Sequence, residues 1–166
     1  RADGTGAVCA PARGAETVGT RTGLPRAFAS YDEYVGALEA LILAEAIPEP
    51  TFVWWDLRLQ PALGTVEIRV MDAQPEVADT APLVALVQCL VHAAVEGERL
   101  PPPPLPEIVD ENHFIAARDG ADAALIEEGR RVPLGAVLDG VIARCREHAS
   151  VLGCEDDLEA AASLAR

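Results

Sequence analysis

The sequence predicts an α+β fold in which a short antiparallel hairpin packs against several helices. Over most of the chain, apolar residues recur every three to four positions, which is typical of helices. Two neighbouring segments, residues 52–59 and 65–71, instead carry branched and aromatic residues with period-two alternation, which is typical of strands. The Pro- and Gly-containing segment 60–64 separates them, so a hairpin is the simplest connection.

The first predicted helix begins at a capping box. Residues 1–29 are rich in Gly, Thr, Arg and Ala with little periodicity, and we interpret them as an irregular segment. The Ser30 hydroxyl can then accept a hydrogen bond from the backbone three residues on, while Glu33 reaches back. Apolar residues at helical spacing predict a helix that runs to about Ala46, where two prolines follow.

The rest of the chain is predicted to be mainly helical. A nearly all-round apolar pattern from Thr80 or Pro82 to Glu96 predicts a well-buried helix. Prolines 101–104 form a stiff connector, which serves more often as a spacer than as a docking motif. Helices are also predicted over residues 106–118, 133–149 and 155–165, with a Gly-containing turn region at 119–132.

Charge and composition limit the class of partner. The formal net charge is −14, and nucleic acids and anionic membranes both require clustered cations, so neither is an expected partner. No run of about 18 consecutive apolar residues occurs, and we expect no transmembrane helix. The four cysteines form no CxxC motif and no cluster with histidine, so we expect reduced thiols in a cytoplasmic protein.

Two observations suggest that the chain is part of a longer protein. It opens in small, polar residues without an initiator Met. An isolated hairpin is also only marginally stable in water, so the two predicted strands require partners that this chain barely supplies.

Strand alternation places charged side chains together on the hairpin. In the second strand Glu67 and Arg69 share one face, and in the first strand Asp56 and Arg58 share one face. If these two faces coincide, two carboxylates and two guanidinium groups meet on one surface. The sequence does not determine the register that would bring them together.

Such a surface suits phosphoryl-transfer chemistry. Mg²⁺ prefers carboxylate oxygens, and arginine binds phosphate or carboxylate bidentately. Glu67 as a metal ligand and Arg69 as an anion clamp would both act where charge builds on a transferring phosphoryl group. The alternative is a charge pattern on a solvent-facing sheet, worth only tenths of a kcal/mol, and the residue pattern alone favours that alternative.

Four segments, in order, resemble the glutamate–cysteine ligase type 2 family. Residues 51–58 (TFVWWDLR) and 63–72 (LGTVEIRVMD) resemble its Trp-Trp-Asp-x-Arg and Thr-x-Glu-x-Arg-x-x-Asp segments. Residues 21–26 and 111–120 match further segments, so the resemblance covers the chain from about residue 20 to 127. It implies that residues 30–166 are the C-terminal half of a ligase catalytic domain.

This resemblance implies an ATP-dependent carboxylate–amine ligase with a glutamine-synthetase-like fold, here incomplete. Its curved antiparallel sheet would carry helices outside and the site on its concave face. With ATP and Mg²⁺, a substrate carboxylate, usually that of glutamate, is phosphorylated, and an amine such as that of cysteine attacks the acyl phosphate. The implied partners are therefore amino-acid substrates, with association with a second copy or with the N-terminal half of the enzyme left open.

The resemblance also implies roles for single residues. Glu67 matches the metal-binding glutamate, and Arg69 and Arg58 are the expected catalytic cations. The expected substrate-binding residues are Arg21, Trp55, Asp56, Asn112 and Arg118. For Asn112 and Arg118 the alternatives are a helix cap and an ion pair with an acid.

The family's further acidic metal ligands lie in N-terminal strands that this chain does not contain. Glu67 and, at most, Asp56 remain as metal-binding carboxylates. We therefore expect the isolated chain to be inactive as a ligase. The alternative function is a non-catalytic interaction or assembly module derived from a ligase, with the proline run and the acidic surface as its main features.

Overall fold

The computed structural model describes residues 21–98 and 104–165. The chain divides into two compact units, residues 1–73 and 74–166, and each is described by itself. Cys9, most of the predicted irregular segment 1–29 and the connector prolines 101–103 lie outside the described residues. The fold class is α+β, as predicted, with five α-helices and short strand pairs in the described part.

In the first unit, the described helix is α1 (Tyr31–Leu43). Its predicted capping box is confirmed, because the backbone N–H of Glu33 donates to Ser30 Oγ over 3.1 Å. The Glu33 carboxylate reaches back to the backbone N–H of Ala29 at 2.6 Å. The helix ends before the predicted Ala46, since Glu45 adopts a positive φ of 55°.

The strand predicted over residues 52–59 is divided. A 3₁₀ turn (Pro50–Phe52) precedes β2 (Trp54–Trp55), which pairs in parallel with β1 (Thr22–Gly23). After Asp56 the chain continues as β3 (Leu57–Gln60), which pairs with a different strand. A continuous strand was the wrong prediction because the chain changes its partner, and therefore bends, at Asp56.

The predicted hairpin is confirmed as the antiparallel pair of β3 and β4 (Thr65–Ile68). Its four-residue loop is closed by the N–H of Leu63, which donates to the carbonyl of Gln60 over 3.0 Å. Gly64 ends the loop at a φ of 62°, a conformation that glycine adopts without strain. The second strand stops at Ile68, short of the predicted Met71.

The core of the first unit lies between α1 and the strands. Its buried residues are Tyr34, Leu38, Ile47, Val53 and Trp55, with Phe28 and Leu59 packed against them. The rings of Phe28, Tyr34 and Trp55 form a mutual cluster with centroids 5.3–6.0 Å apart. Few aromatic residues occur in the chain, and this unit concentrates them where they bury the most area.

The second unit contains the remaining helices: α2 (Val77–Val95), α3 (Pro106–Asp119), α4 (Leu134–Leu152) and α5 (Glu155–Ala161). The ends of these helices lie within a few residues of those predicted from the sequence. Gly153, at a φ of 69°, ends α4 in the left-handed conformation common at helix C-termini.

The predicted turn region at 119–132 is a second hairpin, formed by β5 (Ala124–Glu127) and β6 (Arg130–Pro133). Its loop is the dipeptide Glu128–Gly129, and both residues have positive φ, 47° and 75°. Two-residue hairpin loops commonly require this geometry and favour Asn-Gly or Asp-Gly. The prediction was wrong because Glu at the first position gives no turn signal.

Helix α2 is long and apolar enough, by length and composition, to cross a membrane. The sequence expectation of no transmembrane helix rested on the absence of an uninterrupted apolar run, and it stays a prediction. Ala85, Cys89 and Ala93 on one side of α2 are buried in a cluster that includes residues of α4 and α5. Only 22% of its apolar window is buried, so α2 packs along one side and is not the well-buried helix predicted from the sequence. Core helices pass the same length and composition test as membrane spans.

Candidate functional site

The β3–β4 register brings the predicted charged face together. Arg58 of β3 lies directly opposite Glu67 of β4, and Gln60 lies opposite Thr65. Directly opposed residues project to the same face of a sheet, so Arg58 and Glu67 share a face. The sequence alone had left open whether they do. Leu57, Leu59, Val66 and Ile68 occupy the opposite, apolar face.

The Glu67 carboxylate is the centre of this polar face. Its Oε2 accepts three hydrogen bonds, from Arg58 Nη2 at 2.6 Å, Arg58 Nε at 3.1 Å and Gln60 Nε2 at 2.7 Å. Its Oε1 accepts one, from Arg69 Nη1 at 2.8 Å. The two oxygens therefore differ: Oε2 is surrounded by protein donors, and Oε1 retains acceptor capacity.

These donors stabilise the ionised form of the carboxyl group. The pKa of Glu67 is lowered from 4.5 to about 2, chiefly by the hydrogen bond from Gln60 and then by those from Arg58 and Arg69. Partial burial opposes this shift; its effect is smaller than those of Gln60 and Arg58 and larger than that of Arg69. Glu67 is therefore an anion at every physiological pH.

The guanidinium of Arg58 is almost fully enclosed. The residue is 8% exposed, and its Nη1 donates to the carbonyls of Thr51 at 2.8 Å and Val53 at 3.0 Å. Together with the two bonds to Glu67, four of its five N–H donors are used within the protein. Arg58 thus connects the 3₁₀ turn to the hairpin and orients Glu67.

Arg69 differs from Arg58 in its exposure. Its side chain is 38% exposed, and its described ion pair is the single contact with Glu67 Oε1. Its backbone N–H donates to the carbonyl of Asp56 over 2.7 Å, which anchors the residue beyond the end of β4. A guanidinium held at one nitrogen, with others open to solvent, can bind an incoming phosphate or carboxylate.

Asp56 and Arg21 lie at the edge of the same unit. The backbone N–H of Asp56 donates to the carbonyl of Gly23 over 2.9 Å, so Asp56 links β1 to the Arg69 end of the hairpin. Asp56 is half-buried, and the side chain of Arg21 is exposed. The carbonyl of Arg21 accepts a hydrogen bond from Trp54, which fixes its backbone at the start of β1. Their substrate-binding roles stay predictions.

Trp55 is 8% exposed and packs in the aromatic core beside Tyr34. Its neighbour Trp54 is 55% exposed. A direct substrate contact through Trp55 stays a prediction, although the packing gives this side chain a clear structural purpose. Sequence alternation alone could not decide which of the two tryptophans faces the core.

Asn112 and Arg118 belong to the second unit, on α3. The Asn112 side chain makes a bidentate contact with the backbone of Ile126: Ile126 N–H donates to Oδ1 at 2.7 Å, and Nδ2 donates to the carbonyl at 3.1 Å. Arg118 pairs with Asp119 through two bonds of 2.6 and 2.7 Å. For Arg118 this is the ion pair considered from the sequence. Asn112 instead joins a helix to a strand, and its substrate role stays a prediction.

Gln60 was not predicted as a site residue, because the sequence pattern places it in the turn. Its amide is the leading cause of the low pKa of Glu67. A four-residue loop over 61–64 would have placed Gln60 on the same face as Arg58, two positions along β3. The loop length would therefore have indicated that Gln60 lies beside Arg58, but the sequence did not define that length.

A divalent cation requires more than this surface provides. In the described ranges, no group of three or more His, Cys, Asp or Glu side chains is arranged to hold a metal ion. Glu67 fits such a role, because it is ionised and its Oε1 has acceptor capacity left. The residues present thus fit one carboxylate ligand of a magnesium site, with the other ligands supplied from elsewhere.

Comparison with known families finds a match over most of the chain. The model of glutamate-cysteine ligase family 2 matches residues 16–166, which include all described residues of both units and every predicted site residue.

Individual relatives agree with that match. Two proteins of Rubrobacter xylanophilus, named "Putative glutamate--cysteine ligase 2-1" and "2-3", are 38% and 42% identical over 83% and 88% of this chain. A "Putative glutamate--cysteine ligase 2" of Jannaschia sp. is 35% identical over 87% of it. The matched part spans only 38–40% of the length of these relatives.

Proposed function

Because the chain belongs to glutamate-cysteine ligase family 2, we propose that it is part of an ATP-dependent carboxylate–amine ligase whose chemistry involves the β3–β4 hairpin. In the proposed reaction, the γ-phosphoryl group of ATP moves to a substrate carboxylate. An amine then attacks the acyl phosphate, an amide bond forms and phosphate leaves. The names of the relatives suggest glutamate as the carboxylate and cysteine as the amine.

One observation supports this proposal most directly: a permanently ionised carboxylate lies beside an accessible guanidinium. Arg69 Nη1 is 2.8 Å from Glu67 Oε1, and the pKa of Glu67 is about 2. Arg69 can therefore bind a phosphoryl or carboxylate oxygen while Glu67 holds its side chain in place. We assign anion binding at the reacting group to Arg69.

Arg58 acts through Glu67 in this proposal. Enclosure and four internal hydrogen bonds leave its guanidinium little capacity for a substrate. Its contribution is to fix the orientation and the ionisation of Glu67. Arg58 is thus a positioning residue, a narrower role than the catalytic one expected from the resemblance.

For magnesium we propose Glu67 Oε1 as one ligand. A bound Mg²⁺ would neutralise charge on the phosphates of ATP. Arg58, Gln60 and Arg69 keep Glu67 ionised, and in this proposal the remaining metal ligands would come from parts of the ligase outside this chain.

Paired substitutions in the full-length protein test the assignment. We expect Glu67→Gln and Arg69→Ala to lower phosphate release that depends on ATP, glutamate and cysteine by about 10²-fold or more. The matched controls, Glu159→Gln and Arg146→Ala, alter an exposed ion pair of 2.7 Å on α4 and α5. We expect the controls to leave turnover unchanged.

Stability must be measured beside turnover. It is measured on the 166-residue chain, whose two tryptophans both lie in the first unit, so that their fluorescence during urea denaturation reports the hairpin and its core. Lost turnover in Arg69→Ala with an unchanged denaturation midpoint, together with lost turnover in a Glu67→Gln variant that is less stable but still unfolds cooperatively, supports catalysis. Full turnover in both Glu67→Gln and Arg69→Ala would reject the assignment and favour a non-catalytic assembly module.

The isolated chain provides a separate test. Since it supplies one fitting metal-binding carboxylate in the described residues, we expect no phosphate release from the purified chain with ATP, Mg²⁺ and amino acids. Addition of the remaining portion of the ligase as a separate polypeptide is expected to restore release if the two parts associate. Substrate-dependent release from the chain alone would contradict this expectation.

A further inference from the structure

Two thiols from distant parts of the sequence meet in the core of the second unit. Cys89 lies on the buried side of α2, and Cys154 lies in the junction between α4 and α5. Their sulfur atoms are 3.8 Å apart, although 65 positions separate them in the chain. Both are free cysteines, and the proposed ligase chemistry uses neither.

We propose that Cys89 and Cys154 form a reversible disulfide, making this pair a redox modification site. A disulfide bond requires sulfur atoms about 2.05 Å apart, so the two must approach by less than about 2 Å. Cys154 is partly exposed and follows Gly153 in the junction between α4 and α5, so rotation of its side chain can supply this movement. The site would respond to low-molecular-weight disulfides, with no metal and no cofactor required.

The two cysteines differ in access, and this determines the order of the steps. Cys154 is partly exposed, whereas Cys89 is fully buried at 0%. Burial, followed by the contact with Cys154, raises the pKa of Cys89 to about 12. Cys154 is therefore the thiol that meets the reagent first, and Cys89 is the thiol that completes the exchange.

The exchange balances without any further reactant. The Cys154 thiolate attacks one sulfur of the small disulfide, forms a mixed disulfide and releases one small thiol. Cys89, a protonated thiol because of its raised pKa, then attacks Cys154 Sγ in the slower step: its proton goes to the departing small thiolate, and the internal bond forms. One small disulfide is reduced to two thiols, and the protein loses two hydrogen atoms.

The bond would tie α2 to the end of α4 and the start of α5. These helices share a cluster that includes Ala85, Cys89, Ile142, Ala149 and Leu158. Cross-linking across 65 positions would restrict the unfolded chain and raise the thermal midpoint of the second unit. It would also prevent α2 from separating from its partners.

Incubation of the folded chain with oxidised glutathione tests the proposal. The chain contains no lysine, so trypsin cuts only after arginine and places each cysteine in a different peptide. Cys89 falls in residues 70–99, Cys145 in 145–146, Cys154 in 147–166 and Cys9 in 2–13. We expect a cross-link between 70–99 and 147–166, reversed by dithiothreitol and at least about tenfold more abundant than any other.

Alanine variants identify the partners. We expect Cys154→Ala and Cys89→Ala each to abolish the cross-link. Cys145 is a buried thiol of the same cluster, and we expect the control Cys145→Ala to retain the cross-link. Circular dichroism confirms that each variant is folded, and Cys154→Ala suffices if Cys89→Ala unfolds. Three results would overturn the proposal: a mixed disulfide at Cys154 without the internal bond, no reaction at all, or a dominant link to residues 145–146 or 2–13.

Discussion

Arg58 and Arg69 both bind Glu67, yet their surroundings predict opposite effects of substitution. Arg58 is enclosed and also satisfies two backbone carbonyls, whereas Arg69 has one described ion pair and a partly exposed side chain. A buried cation removed from such a network leaves its partners unpaired, while an exposed ion pair adds little to stability. The sequence left open whether the two arginines share a surface. The difference in their exposure depends on contacts of Arg58 with residues 51–53, which no sequence pattern indicated.

We predict that Arg58→Ala lowers the free energy of unfolding of the first unit by about 2–4 kcal/mol, because Glu67 and the carbonyls of Thr51 and Val53 lose their donors. Arg69→Ala should change it little. Urea denaturation followed by tryptophan fluorescence measures both. Equal losses in the two variants would contradict the distinction between the positioning and the anion-binding arginine.

The low pKa of Glu67 predicts an acid-dependent contribution to stability. Its folded-state pKa of about 2 lies below the ordinary 4.5, so the unfolded chain binds this proton more readily. The contribution is complete above about pH 4.5 and declines as the pH falls towards 2. We expect Glu67→Gln to remove this part of the pH dependence.

The measurement is the urea midpoint of tryptophan fluorescence at several pH values from about 2.5, near the folded-state pKa of Glu67, to about 6, above its unfolded-state pKa. Glu159→Gln, on α5 of the other unit, is the control and should keep the full slope in this signal. An unchanged slope in Glu67→Gln would show that other carboxyl groups produce it.

At the scale of elements, the hairpins show what sequence patterns can and cannot predict. The β3–β4 hairpin was predictable because Pro61 and Gly64 mark its turn and its strands alternate clearly. The β5–β6 hairpin was not, since Glu128 adopts a positive φ that its residue type does not favour. Tertiary contact with α3 supports this second hairpin, and such contacts leave little trace in a local pattern.

We predict that Asn112→Ala detaches α3 from β5. Both bonds to the Ile126 backbone disappear, so we expect the free energy of unfolding of the second unit to fall by about 1–3 kcal/mol. The Ile126 amide should exchange with solvent deuterium at least about tenfold faster. His113→Ala, an exposed neighbour on α3, is the control and should leave that amide protected. Unaltered Ile126 exchange in Asn112→Ala would contradict the predicted role.

At the scale of the whole molecule, family membership was predictable and the boundaries of compact units were not. Ordered motifs from residue 21 to 120 identified the family, because several independent segments rarely coincide by chance. The division after Ala73 depends on which contacts form in three dimensions. The substrate pocket was also beyond prediction, since this chain spans 38–40% of its relatives' length.

Charge and packing together predict no membrane association for the chain, despite the composition of α2. The net charge of −14 opposes anionic surfaces, and one side of α2 lies in the core of its unit. In flotation experiments with neutral and with anionic vesicles, we expect the chain to remain in the dense fraction. Co-flotation with neutral vesicles would instead indicate that α2 leaves its core and enters the bilayer.

The contact between Asn112 and Ile126 has a further consequence, for aggregation. Strand β5 pairs with β6 along one side, so its other side would offer unpaired backbone groups to any extended segment of another molecule. At Ile126 the carboxamide of Asn112 accepts the N–H and donates to the carbonyl, as a peptide group of a third strand would. A single side chain thereby closes the exposed edge of a small sheet and protects it against cross-molecular strand addition.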